Sequence, residues 1–142
     1  ARSSSCATVV PLSFSTLKSP AANFFTPSVP CPDDQPGALH EATTKLGGGA
    51  AIKIMDHSVL CHRDVVAKLR QLADEKDIPA QDDLLKVGGT DAGVIHVSRG
   101  GVRTGGVSIP CRYTHSQTEL IDLADLEACV KLVQAFCESE FE

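Results

Sequence analysis

A chain of 142 residues is long enough for one domain with a real core. Its 42% hydrophobic and 22% charged composition is that of a folded globular protein, and its net charge of −5 argues against nucleic acid as a partner. No apolar run approaches the roughly 18 residues of a membrane span, and with five Phe, one Tyr and no Trp the core must come mainly from Val, Leu, Ile and Ala.

Residues 1–33 differ in composition from the rest of the chain. Six of the eight prolines lie at or before Pro36, and Arg2 and Lys18 are the only charged residues before Asp33. A Ser-rich, acid-poor start with an arginine has the composition of an organellar transit peptide. A poorly ordered leader explains the same residues and is preferred, with a cytoplasmic location. A secretory signal is disfavoured because Pro11 interrupts the apolar run 7–14. The expected division is a leader over 1–33 and an α/β domain over 34–142.

Gly47-Gly48-Gly49 reads as a turn. It cannot be a phosphate loop, since no GK[ST] comes after it and a strand, Ala51–Met55, is next. The spacing predicts a helix over 62–77, with Val65, Leu69, Leu72 and Lys76 on one stripe and Pro79 as its stop. Asp83–Val87 is the next expected strand. Thr90 is expected to cap a short helix with Asp91 in its first turn and with Val94, Ile95 and Val97 on its apolar side. Gly106–Cys111 reads as a buried strand that delivers Arg112-Tyr113-Thr114-His115-Ser116 into a loop. A last helix spans 122–138, capped by Asp122 with Asp125 three residues on, its apolar side formed by Leu126, Cys129, Val130, Val133 and Cys137. Strands alternating with helices imply an α/β fold: a three-layer, mostly parallel sheet with flanking helices and an exposed edge.

None of the six cysteines forms a CxxC pair, which argues against a zinc ribbon, and Cys61, Cys111, Cys129 and Cys137 fall in apolar patterns as buried free thiols. His57 and His62 are five apart and off one helical face, so a metal site from Asp56, His57 and His62 could form only through the intervening turn. His96 reads as a packing or capping residue. A glycosidase needs two facing carboxylates; Asp56, Asp91 and Glu119 are present, but nothing selects a pair, and aromatic sugar platforms are missing.

The motifs GGTDAGVIH (88–96), VSIPCRY (107–113) and the adjoining THS resemble the metal-dependent glutamyl, deblocking and tetrahedral (TET) aminopeptidases, some of which are named cellulase or endoglucanase. KLGGGAAIKIMDHSVLCHRDVV (45–66) and DLADLEACVKLV (122–133) extend the resemblance, which runs from about Asp34 to about Phe136 and covers the C-terminal part of a longer family chain. It implies a hydrolase that releases N-terminal residues from peptides with two divalent metals, zinc or cobalt. In that family a metal-bound water attacks the scissile carbonyl and a Glu moves the proton.

On the same resemblance, His115 matches the histidine that closes the two-metal site, and Thr90, Asp91 and Gly93 match a loop beside the substrate pocket. The remaining ligands and the base lie upstream of Asp34 in the family. Counting back six residues from the DQPG turn at Asp34 lands on Ser28 where the family has an acidic ligand, and no His, Asp or Glu precedes Asp33. One imidazole cannot make a three- or four-ligand site. The expectation is therefore that His115 is a remnant, that no catalytic residue is present, and that the isolated chain is inactive. A peptide becomes a substrate only if the missing half is supplied. Self-association through unpaired sheet surface is expected, and the rival reading is a non-catalytic α/β interaction module.

Overall fold

The computed structural model describes the backbone of residues 22–30 and the whole of residues 43–140. Eight elements occur in the order β1 (Ala22–Pro30), β2 (Ala50–Met55), α1 (Arg63–Glu75), β3 (Ala80–Leu84), α2 (Ala92–Ile95), β4 (Thr104–Arg112), β5 (Leu120–Ile121) and α3 (Leu123–Glu138). The fold is α/β, with helices packed on a sheet of order β1-β4-β2-β3, and β5 paired to the end of β4.

The sheet is mixed. β1 pairs with β4 and β2 with β3 in parallel, whereas β2 and β4, the central pair, run antiparallel, as do β4 and β5. The mostly parallel sheet expected from alternation is present, with the short antiparallel β2–β4 pairing at its centre as the addition. One end of the sheet therefore holds the C-terminal ends of β1 and β4, and the other holds those of β2 and β3.

Residues 22–30, expected to belong to the leader, form β1 in register with β4 from Ala22↔Thr104 to Pro30↔Cys111. Backbone pairing depends little on side-chain identity, so a stretch without clear periodicity can still join a sheet. The expected disorder of residues 1–21 lies outside the described residues.

Helices α1 and α3 touch each other and both lie on β2 and β4, so they share one face. Ile52, Val107 and Ile109 of the sheet join Val65, Leu69 and Leu72 of α1 and Ala128, Leu132 and Phe136 of α3 in one core. Gly105 permits this approach, because a Cβ there would collide with Val65 Cγ1. Arg70 of α1 adds a bidentate pair with Asp82 of β3 at 2.7 Å. Strand alternation sends Ala51, Lys53, Asp83 and Ser108 to the opposite face. There Lys53 Nζ donates to Asp83 Oδ2 at 2.5 Å and Ser108 Oγ donates to the same oxygen at 3.1 Å, all three side chains being buried.

Several boundaries differ from expectation for identifiable reasons. β3 starts at Ala80 instead of Asp83: the Pro79 carbonyl accepts from Ala50 N, and pairing begins at once with Ala50↔Ala80. Two consecutive aspartates are poor strand formers, and here each finds a cation, Arg70 or Lys53. His62 is the N-cap of α1, its Nδ1 accepting from Asp64 N, and Lys76 is an exposed C-cap instead of part of the apolar stripe. The buried side of α3 is Asp125, Ala128, Cys129, Leu132, Ala135 and Phe136, while Val130 is half exposed. Asp122 caps α3 as expected, accepting from Ala124 N at 2.8 Å.

Candidate functional site

His115 sits at the tip of the β4–β5 hairpin, beyond the C-terminal end of β4. Pairing of Cys111 with Ile121 and Arg112 with Leu120 closes the hairpin, leaving residues 113–119 as its loop. Two residues there take left-handed backbone, Tyr113 at φ 61° and His115 at φ 62°. That conformation is uncommon for residues with a Cβ. The His115 amide donates to Glu119 Oε1 at 2.7 Å, and Ser116 N donates to the Tyr113 carbonyl at 3.0 Å. The His115 side chain is exposed.

Around this tip the same end of the sheet gathers the end of β1, the Gly47–Gly49 turn and the start of α3. Asp125, buried within the first turn of α3, accepts from Gly47 N at 2.8 Å and Gly49 N at 2.7 Å. Gly49 takes φ +86°, and any Cβ there would strike the Pro79 carbonyl. Ser28 falls at the break in β1 register between Thr26 and Val29.

Thr90, Asp91 and Gly93 lie at the other end. The loop after β2 and the loop before α2 meet on Asp56. Its Oδ1 accepts from Ser58 N at 2.7 Å, Ser58 Oγ at 2.6 Å and Val59 N at 3.0 Å, and its Oδ2 from Thr90 Oγ1 at 2.6 Å. Burial alone would raise the Asp56 carboxyl, but these four hydrogen bonds together hold it below its ordinary value. Thr90 is therefore not the helix cap. Asp91 occupies that position without a side-chain capping bond, and α2 is only four residues long. Val94 and Val97, expected to pack, are exposed, and Ala92 is the buried residue. His96 ends α2, with Nδ1 3.2 Å from the Ala92 carbonyl.

This splits the residues that the family resemblance had grouped. His62 N donates to Thr104 O, so the Asp56–Thr90 loops stand beside the start of β4, whereas His115 lies past its end. The nine-residue strand between them spans roughly 30 Å.

Among the described residues no three His, Cys, Asp or Glu side chains come together as a metal centre would need. Asp56 spends both oxygens on protein donors, His57 is exposed, and His62 caps α1. Glu119, the nearest carboxylate in sequence to His115, holds a backbone amide. Cys61, Cys129 and Cys137 form no disulfide, Cys111 Sγ lies 3.0 Å from Thr114 Oγ1, and burial pushes the Cys61 and Cys129 thiols up to about 11, above the range of a reactive thiolate. Cys6 and Cys31 lie outside the described residues.

Sequence reasoning missed two groups. The Lys53–Asp83–Ser108 cluster had a signal, a lysine within an apolar strand and an aspartate pair after Gln81. The role of Asp125 had none, since a helix-start carboxylate usually faces solvent.

Comparison with known proteins agrees with this architecture. The family model for M42 glutamyl aminopeptidase matches residues 22–132. The lysyl aminopeptidase of Pyrococcus furiosus is 46% identical over 109 residues, covering 73% of this chain and 30% of its own length. The chain spans 26% to 30% of the curated relatives it matches. Among solved structures, a TET aminopeptidase from a marine sediment Thaumarchaeota archaeon superposes with a TM-score of 0.76 at 32% identity, over 83% of this chain and 32% of its own. The Pyrococcus horikoshii TET1 peptidase, which assembles into a tetrahedron or a large octahedral shell, gives 0.65 at 32% identity, over 81% and 32%. An endoglucanase of Thermotoga maritima gives 0.58 at 26% identity, over 87% and 35%. With its family match covering 22–132 and the sheet and helices shared with these structures, the chain belongs to the M42 glutamyl aminopeptidase family.

Proposed function

We propose that this chain is the C-terminal part of an aminopeptidase catalytic domain, a hydrolase that removes N-terminal residues from peptides once the upstream part of such a domain supplies the rest of its site. The observation that supports this is that His115 follows the end of β4, whose partner there is the end of β1 (Pro30↔Cys111), the strand in which the family resemblance puts an acidic ligand and this chain has Ser28. Among the described residues no group of three His, Cys, Asp or Glu side chains includes His115, so in this reading the zinc or cobalt implied by the family draws its other ligands from the upstream part, and no catalytic step is assigned to it. In this reading Thr90, Asp91 and Gly93 belong to a loop beside the substrate pocket, which the Thr90–Asp56 hydrogen bond ties to the loop after β2. Self-association and a cytoplasmic location complete the proposal. The TET1 relative's assembly supports the first, and no described helix is long and apolar enough to cross a membrane.

The test is an assay of the purified chain on leucine, lysine and glutamate anilides, with and without zinc or cobalt and with and without an N-terminal family fragment. Turnover is expected only in the mixture, and His115→Ala should abolish it. Chelator-sensitive turnover by the chain alone that disappears in His115→Ala would overturn the reading.

A further inference from the structure

We infer that Glu119 is a positioning residue for His115: its carboxylate, four residues on, holds the His115 amide and thereby fixes the left-handed turn that sets the direction of the imidazole. Glu119 immediately precedes β5, which is anchored to β4 through Cys111↔Ile121 and Arg112↔Leu120. It thus stands on the fixed side of the hairpin, and its Oε1 lies 2.7 Å from His115 N. A carboxylate accepting from a backbone amide makes a stronger bond than a neutral acceptor. The amide it holds belongs to a residue at φ 62°, a conformation that persists in residues with a Cβ only where the surroundings hold it.

The Ser116 N to Tyr113 O bond closes a turn with His115 at its third position and restrains the same φ, while Glu119 is the side chain that holds the His115 amide itself. The neighbouring bonds, Ser116 N to Tyr113 O and Ser116 Oγ to Thr118 O, tie residues on either side of it. Turning His115 into the extended region would swing its amide away from Glu119 and rotate its Cα–Cβ bond. The Glu119 bond, added to the turn bond that spans His115, therefore couples backbone geometry to the side chain that the proposed function makes a metal ligand. That reading gives Glu119 its functional sense, but the coupling itself is a property of the hairpin and can be measured without metal or substrate.

The experiment is nuclear magnetic resonance on the full ¹⁵N,¹³C-labelled chain, comparing Glu119→Ala and Glu119→Gln with the parent. The Gln carbonyl oxygen can still accept the amide proton. In Glu119→Ala, the His115 amide should exchange about tenfold faster, and its Cα shift should move from left-handed towards extended values. Glu119→Gln should keep the parent Cα shift and most of the protection. The amides of β4 and α3 should be unchanged in both, which separates positioning from folding of the hairpin. An unchanged His115 in Glu119→Ala overturns the inference, as does loss of protection spread evenly through Cys111, Arg112 and Ile121. Failure of the anilide assay leaves these outcomes untouched, so the two readings fail separately.

Discussion

Asp56 shows how one carboxylate can join two loops that are distant in sequence. Three donors come from its own turn and the fourth is Thr90, thirty-four residues on. Its folded pKa lies below the ordinary 3.8 despite burial, because the hydrogen bonds favour the charged form. The resulting stabilisation is complete above the unfolded pKa of about 4 and is lost as pH falls through the lower folded value. Asp56→Asn should flatten that acid limb and cost about 1–3 kcal/mol at neutral pH, since Asn turns one acceptor into a donor facing donors. Urea denaturation from pH 3 to pH 7 measures both; an acid limb that keeps its slope in the variant would show that another carboxylate controls it.

At the scale of the element, β2, β3 and β4 are tied on their polar face by Lys53, Asp83 and Ser108. Asp83 Oδ1 has no partner while Oδ2 takes both donors, so the aspartate depends on the lysine. Lys53→Met should destabilise the chain by about 3–5 kcal/mol, because it leaves a buried carboxylate without its cation. The double variant Lys53→Met/Asp83→Leu should recover most of that loss, as apolar replacements of a buried pair often do. Equal losses in the single and double variants, read from urea midpoints, would mean that shape and not charge pairing holds the strands. Each of these residues contradicts a local rule: a lysine sits in a buried strand and an aspartate in an edge strand. The sequence pattern places both in strands but begins β3 at Asp83, three residues late, because Gln81 and Asp82 give no strand signal.

For the whole molecule, the antiparallel meeting of β2 and β4 has the widest consequence. It places the His115 hairpin past one end of β4 and the Asp56–Thr90 knot beside the other. Around the knot, Leu60, Val87, Val94 and Val97 are each more than 60% exposed. Apolar side chains of this size left in water favour association, and among the described residues β3 is a sheet edge. Light scattering on the purified chain is expected to show more than one copy per particle, with Val94→Asp/Val97→Asp shifting the population towards monomer. A monomer at high concentration that binds no hydrophobic dye would rule this out.

Taken alone, the sequence determined the helices, the buried strand β4, the Asp122 cap, the free thiols and the family. These depend on periodicity, capping chemistry and motif order, which act over a few residues and are written in the chain. It could not determine the direction in which β2 meets β4, the recruitment of residues 22–30 into the sheet, or the partners of Thr90, Asp83, Asp125 and Glu119. Strand direction and pairing are set by backbone hydrogen bonds between segments far apart in sequence, and every residue except proline offers the same donor and acceptor for them. Thr90 shows the difference in one side chain. Locally it is a good helix cap, but folding brings the Asp56 carboxylate within 2.6 Å of its hydroxyl, which donates to that charged acceptor, and the N-cap of α2 falls one residue on at Asp91.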